Sequence, residues 1–411
     1  MGSDRLGIDF GTSNTAAAVM VGAKPYIIPL EAGAETLPTA VFLDFSQRQT
    51  LYGSAAISAL IDGREGRFMR ALKSVLGTPL MHEKRQFMQE RLTLVEITAR
   101  FLARVKSQAE THCGRTFPRA LSGRPVQFHS ANPNRNARAL DDLRACYLAA
   151  GFEDVAFLPE PEAAALASGP LSGGVGLIVD IGGGTSDFTV FEQVGGKTKI
   201  IASHGVRIGG TDFDKALSLA HVMPLFGKGS LIRAEIGPKT HPAPAKIFNE
   251  LATWEKIPFL YSGEATRDVA RMAKLAQEPE KLARLLEVLD MHLGHDVAFA
   301  VERGKIGANR DGGVGRVDLS VVQRGLGAMI APVDLQAGLG GFAADIRAAA
   351  ATTLAMADCP PDAISRVVLV GGSSLLHVVS DAVATLLPNA EMAYGNAFTA
   401  IVDGLAIAAA D

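Results

Sequence analysis

The chain writes one short pattern twice. From Leu6 it reads LGIDFGTSNTAAAVMV, and from Val175 it reads VGLIVDIGGGTSDFTVFE, about 170 residues further on. Each is an apolar run that reaches an aspartate, passes through glycine and Thr-Ser, and turns apolar again, as two strands joined by a tight turn would. An aspartate at the mouth of a sheet can hold hydrated Mg²⁺, which keeps most of its waters and takes only one or two carboxylates. Glycines let backbone N–H groups approach phosphate oxygens, and Thr or Ser hydroxyls add donors. One such turn reads equally well as a plain glycine hairpin. Two, in separate halves of the chain, imply a triphosphate gripped from two sides.

A third segment fits the same scheme. VLVGGSS, Val368 to Ser374, is a buried strand entering a Gly-Gly turn, a flat surface for adenine and ribose. There is no GxxxxGK[ST] loop, which disfavours a P-loop site. No G-x-G-x-x-G fingerprint follows either aspartate strand.

At 411 residues the chain exceeds one simple core and should split into two lobes or several subdomains. A formal net charge of −3 offers no general attraction to nucleic acid or anionic lipid. Cys113, Cys146 and Cys359 lie far apart, which fits a reducing compartment better than a disulfide framework. MGSDRLGIDF carries no basic region ahead of an apolar stretch, and GSDRL lacks the Ser or Thr of a myristoylation signal. No run approaches the ~18 apolar residues of a membrane span. A soluble cytoplasmic protein is the expectation.

Along the chain, Leu6–Asp9 and Thr15–Val21 are expected as antiparallel strands, and LPTAVFLD as the clearest strand of residues 22–90. Leu94, Ile97, Phe101 and Val105 predict an amphipathic helix. Residues 136–150 predict a second, apolar at Leu140, Leu143, Tyr147 and Leu148 and stopped by Gly151. The strand DVAFL leads to the helix EPEAAALASG. After the second hairpin come a strand at Ile200–Ala202 and a helix after GGTDFDKAL. Leu282, Leu285, Leu289, Leu293 and Val297 run at helical spacing. His292 and His295 read as a solvated helix face, Trp254 as packing, Cys146 as core, and Lys84-Arg85 as a solvated loop.

With these pieces in order, the chain resembles the actin, hexokinase and heat-shock protein 70 superfamily, and within it the nucleotide-binding domain of DnaK-type chaperones. The resemblance rests on IDFGTSN, VDIGGGTSDF, EPEAAAL, IGGTDFD, VERGKIGAN and VLVGGSS, spread from about residue 5 to 407. GRPVQF, HVMPLFGKGS and WEKIPFLYS look most like the short YegD-type bacterial members. The implied fold is α/β, a two-lobed actin-like (ribonuclease H-like) ATPase with duplicated cores. Lobe I would span 1–170, the lobe II core 171–222 and 317–395, and an inserted helical subdomain 223–316. Residues 396–411 would form a C-terminal helix packing back toward lobe I.

The resemblance implies ATP/ADP and Mg²⁺ as cofactors, slow hydrolysis, nucleotide-dependent lobe closure and client or co-chaperone partners, with no nucleic acid or membrane. Carried over residue by residue, Asp9 and Asp180 would hold the hydrated metal. Gly11, Thr12, Ser13 and Asn14 would contact phosphate from one side, and Gly182, Gly183, Gly184 and Thr185 from the other. Asp187 and Glu160 would orient the attacking water, with Pro161 as hinge. Gly209 and Gly210, Glu302 and Lys305, and Gly371, Gly372 and Ser373 would complete the nucleotide contacts. Such hydrolysis depends on positioning and charge stabilisation.

This chain departs from the family pattern in places. The resemblance sets Lys73, in RALKSVLG, against a different family lysine and leaves Lys84 as the candidate catalytic lysine. An arginine expected after Gly-Gly-Ser is Leu375. The arginine that relays the hinge signal falls near Leu140, with Arg138 as a substitute. The chain reaches AIAAAD without the β-sandwich that holds peptide, so peptide clamping is not expected of this polypeptide alone. An actin-like filament former, a small-molecule kinase using Asp212 or Asp214 as base, and a nucleotide sensor without turnover stay open as alternatives.

Overall fold

A computed structural model describes residues 3–410 except 88–89, 129–132, 172–173, 196, 235–236, 311 and 395–398. The extreme N-terminus and part of the 396–411 segment therefore lie outside the described residues. The fold is mixed α/β, and the chain divides into two compact units. The first comprises Met1–Arg207, Arg347–Leu375 and Val383–Asp411; the second comprises Ile208–Ile346 and Leu376–Ala382.

The first unit is built on two sheets of matching plan. In one, β1 (Arg5–Phe10), β2 (Asn14–Val21), β3 (Lys24–Ile27), β4 (Leu37–Pro38), β5 (Arg119–Arg124) and β6 (Asp154–Pro159) run in the order β6-β5-β1-β2-β3, with β4 on β2. In the other, β7 (Val175–Ile181), β8 (Ser186–Val194), β9 (Lys197–Val206), β10 (Ile364–Val370) and β11 (Glu391–Ala393) run β9-β8-β7-β10-β11. Each aspartate-bearing strand, β1 or β7, has a parallel neighbour on one side and an antiparallel hairpin partner on the other. The outer strands repeat the same senses. The duplicated sentence has become a duplicated topology.

β1 and β7 are apolar on both faces because both faces are covered, as central strands of α/β sheets are. On one side of β1, Leu6, Ile8 and Phe10 pack with Ile97, Phe101 and Val105 of α1 (Leu94–Cys113) and with Leu143 and Tyr147 of α2 (Pro133–Ala149). α1 starts at a Thr93/Glu96 capping box and ends at Gly114 in the left-handed region. Between the sheets lie α3 (Glu160–Ala167) and the terminal helix Ala400–Ala410, joining Leu121 and Ala163–Ala165 to Ile178, Val368, Ile401 and Leu405. Their approach requires a glycine: a Cβ at Gly404 would lie 1.8 Å from the Ala163 carbonyl oxygen.

In the second unit, helices Gly210–Leu217, Gly263–Leu275, Pro279–Asp290 and Gly294–Ala308 alternate with hairpins Leu231–Arg233/Thr240–Pro242 and Gly315–Asp318/Gly327–Ile330. No helix among the described residues is long and apolar enough to cross a membrane.

Four expectations change. LPTAVFLD divides into β4 and a strand Ala40–Asp44 that pairs in a separate sheet. Leu148 is 46% exposed, on the outer face of α2. The leucine stripe breaks after Asp290, because His292 adopts a φ of 55°. His292 and His295 therefore do not share a solvated face: His292 stacks on Tyr261, whereas His295 is buried against the edge of Trp254.

Candidate nucleotide and magnesium site

Asp9 stands opposite Ala16 across the β1–β2 hairpin, and Asp180 stands opposite Asp187 across β7–β8. Both turns therefore have equal length. The same bond closes each: Gly11 N–H donates to the Asn14 carbonyl at 3.0 Å, and Gly182 N–H to that of Thr185 at 2.9 Å. The Ser13 carbonyl accepts the Thr39 N–H at 2.8 Å, which fixes the first turn from behind. The two turns meet, since a Cβ on Gly183 would sit 2.8 Å from Ser13 Oγ.

Beneath the turns is a charged cluster. Lys73, in the short 3-10 turn Leu72–Val75, places Nζ 2.5 Å from Oε1 of Glu160, the first residue of α3. Their side chains are only 10% and 14% exposed. Asp9, Asp180 and Asp187 each keep a partial opening to solvent. Burial, then the negative Glu160, lifts the Asp9 carboxyl to about 7 despite Lys73. Burial likewise pushes Asp180 well up, aided by Glu160, Asp187 and Asp9. Asp187 rises to about 6 by burial and the Glu160 charge, against Lys73 and a hydrogen bond with Thr185. For Lys73 burial opposes the charge, but Glu160, Asp9 and Asp180 outweigh it and raise its pKa.

The third glycine turn abuts this cluster. Gly371 has a φ of 80°, and a Cβ there would lie 2.3 Å from the Ile181 carbonyl and 3.0 Å from Asp180 Oδ1. Its own carbonyl accepts both the N–H and the hydroxyl of Ser374, at 3.1 and 2.7 Å. Gly372 and Ser373 follow in that turn. The first unit thus brings together Asp9, Gly11 to Asn14, Glu160, Asp180, Gly182 to Thr185, Asp187 and Gly371 to Ser373.

Gly209, Gly210, Glu302 and Lys305 belong to the second unit. Gly209 donates its N–H to Asp212 Oδ2 at 3.0 Å, and Gly210 opens the helix Gly210–Leu217. Glu302 is exposed, whereas Lys305 is buried with Nζ 2.8 Å from Asp214 Oδ1. Burial raises the Asp214 carboxyl to about 6 against that lysine.

The donor chemistry fits a hydrated divalent cation. Among the described residues Asp9, Glu160, Asp180 and Asp187 face one ammonium, Lys73, and burial followed by mutual repulsion raises the Asp9, Asp180 and Asp187 carboxyls, an arrangement that a cation would relieve. Among the described residues no three His, Cys, Asp or Glu side chains are grouped to hold a metal directly. Water-mediated contact to Asp9 and Asp180 suits Mg²⁺, which rarely sheds its shell.

A sequence model of the family described as Hsp70 protein matches residues 5–239, more than half of the chain. The chain belongs to the Hsp70 family. Similar relatives include the chaperone protein DnaK of Methanothermobacter thermautotrophicus, 33% identical over 220 residues, covering 52% of this chain and 35% of that protein. The DnaK of Thermoplasma acidophilum is 33% identical over 220 residues, covering 52% and 34%. The aligned part thus spans about a third of the length of these relatives.

In this Hsp70-family chain the carboxylate cluster includes the lysine that the resemblance sets against a different family lysine. Lys73 lies in the cluster, whereas Lys84, the sequence candidate for the catalytic lysine, is exposed. The sequence shows only that Lys73 stands among Leu72, Val75 and Leu76, which marks a packed segment but not the lysine's partner, Glu160, 87 residues away.

Proposed function

We propose that the chain binds ATP or ADP with Mg²⁺ on its two glycine turns and hydrolyses ATP slowly, closing its lobes in response. The observation that carries this reading is the meeting of two equivalent turns, each ending a strand in aspartate, over one lysine–carboxylate cluster. The N–H groups and hydroxyls of Thr12 to Asn14 and Gly183 to Thr185 are the phosphate donors, while Gly11 and Gly182 spend their own N–H groups closing the turns. Asp9 and Asp180 hold the metal through water. Bound Mg²⁺ supplies positive charge that neutralises phosphate oxygens during transfer.

The protein's part is positioning. Lys73 ties Glu160 to the floor of the site and offers its remaining ammonium protons to oxygens above it. Glu160 and Asp187 orient the hydrolytic water, and Thr185 fixes the Asp187 carboxyl. Pro161 stiffens the first turn of α3, so displacement of that helix moves Glu160. Client proteins or co-chaperones are the partners this reading implies.

Single-turnover phosphate release tests it. Lys73→Ala is expected to slow release about 100-fold or more, the scale of losing one preorganised electrostatic donor. Lys84→Ala should behave as wild type. Equal rates for Lys73→Ala and wild type would refute the assignment.

A further inference from the structure

Lys73 is held by a short 3-10 turn. The Leu72–Val75 turn starts at Ala71 with a φ of 55° and has Ser74 N–H to Ala71 O at 2.9 Å and Leu76 N–H to Lys73 O at 3.4 Å. Leu72 and Leu76 are buried, which fixes the depth of the turn. Immediately beyond it the chain reverses at Gly77, with a φ of 76°. Here Asp142, from the middle of α2, reaches in. Its Oδ2 accepts the Gly77 N–H at 2.8 Å, and its Oδ1 accepts from His82 Nε2 at 2.8 Å.

One carboxylate, 6% exposed, therefore pins the Lys73 loop to α2 at two points five residues apart. The buried Leu72, Leu76 and Met81 anchor the loop in the core, and the carboxylate adds directional ties between them. The latch borders a surface pocket of about 390 Å³ lined by Thr78, Pro79, Arg138 and Asp141, and His82 is exposed. The close approach leaves Gly77 no room for a side chain, since a Cβ would lie 2.3 Å from the Arg135 carbonyl.

We propose that Asp142 is a positioning residue for Lys73: by clasping Gly77 and His82 it fixes the turn that aims the ammonium at Glu160. The consequence for turnover rests on the hydrolytic reading above, but the positioning does not. Two readouts keep them apart.

The first is the rate at which an amine-acylating reagent modifies Lys73 in the nucleotide-free full chain, read by mass spectrometry against exposed Lys84. Asp142→Ala should speed Lys73 modification about 10-fold or more, as loss of a charge-assisted bond favours local opening. Lys84 should be unaffected. Asp142→Asn, which keeps an acceptor for the Gly77 N–H, should restore protection, and Gly77→Ala should mimic Asp142→Ala. The second readout is phosphate release: in a Lys73→Ala background, Asp142→Ala should slow the residual rate no further.

Protection of Lys73 in folded Asp142→Ala overturns the proposal, whatever the turnover. So does an additive loss in the double variant. Should Asp142→Ala fail to fold, His82→Ala cuts one tie at an exposed residue; unchanged Lys73 reactivity in it and in Gly77→Ala likewise overturns the proposal. Unchanged phosphate release in Lys73→Ala alone would count against the hydrolytic reading and leave the acylation result to decide the latch.

Discussion

The two sheets of the first unit share strand order, strand sense, turn length and closing hydrogen bond, yet their turns differ in what they carry. Opposite Asp9 the hairpin presents buried Ala16, packed with Val402 and Ala406 of the terminal helix. Opposite Asp180 it presents a second carboxylate, Asp187. The first turn offers the side chains Thr12, Ser13 and Asn14, and the second offers bare backbone at Gly182, Gly183 and Gly184. The scaffold repeats, and the side chains it carries differ. One half supplies side-chain donors and a face for the terminal helix; the other supplies close backbone approach and one more carboxylate for the cluster.

Removing Lys73 should have the largest effect on this asymmetry, because its ammonium faces carboxylates from both halves. Beyond slower turnover, Lys73→Ala leaves Glu160 without its 2.5 Å partner in a nearly closed site. Breaking such a buried pair costs about 3 kcal/mol, readable by urea denaturation. Magnesium should recover part of that loss in the variant.

The glycines sharpen the comparison. Gly11 and Gly182 make the same turn bond, but a Cβ at Gly11 would lie 2.3 Å from the Asn14 carbonyl oxygen, against 3.6 Å from that of Thr185 at Gly182. Gly11→Ala is expected to lose about 2 kcal/mol of stability, whereas Gly182→Ala should lie within about 0.5 kcal/mol of wild type. Equal losses would mean that the turns are more alike than the packing shows.

Protonation gives the smallest effect. Asp9 and Asp187 have folded-state values of about 7 and 6, above the ordinary value of 3.8. Between these limits the folded form binds more protons than the unfolded one, so their contribution to stability is full below pH 4 and is lost as pH rises through 6 to 7. Melting of the nucleotide-free protein should fall by about 2 °C between pH 5.5 and 7.5 from this cluster. Asp9→Asn should flatten that slope, and Mg²⁺ should oppose it. A slope unchanged by Asp9→Asn would place the titration elsewhere.

Much of this was legible in the chain itself. Both aspartates, both turns and the apolar strands leading into them are local patterns, and local patterns survive folding. Lys73 was not, because its role depends on Ala71 turning left-handed and on Glu160, which lies 87 residues away. Asp142 is hidden in the same way: on α2 it reads as one more polar residue until Gly77 is placed against it. The break at His292 escaped the leucine spacing because a positive φ at a non-glycine residue has no signature in apolar periodicity.

The most direct test of the two-turn site is calorimetric titration of ATP with and without Mg²⁺ into wild type, Asp9→Asn and Asp180→Asn. The expected result is Mg²⁺-dependent binding that either substitution weakens by about tenfold or more, equivalent to losing about 1.4 kcal/mol. The closeness of the two losses would measure how evenly the halves share the metal. Binding that ignores Mg²⁺, or that survives both substitutions unchanged, would contradict a site built from the two turns.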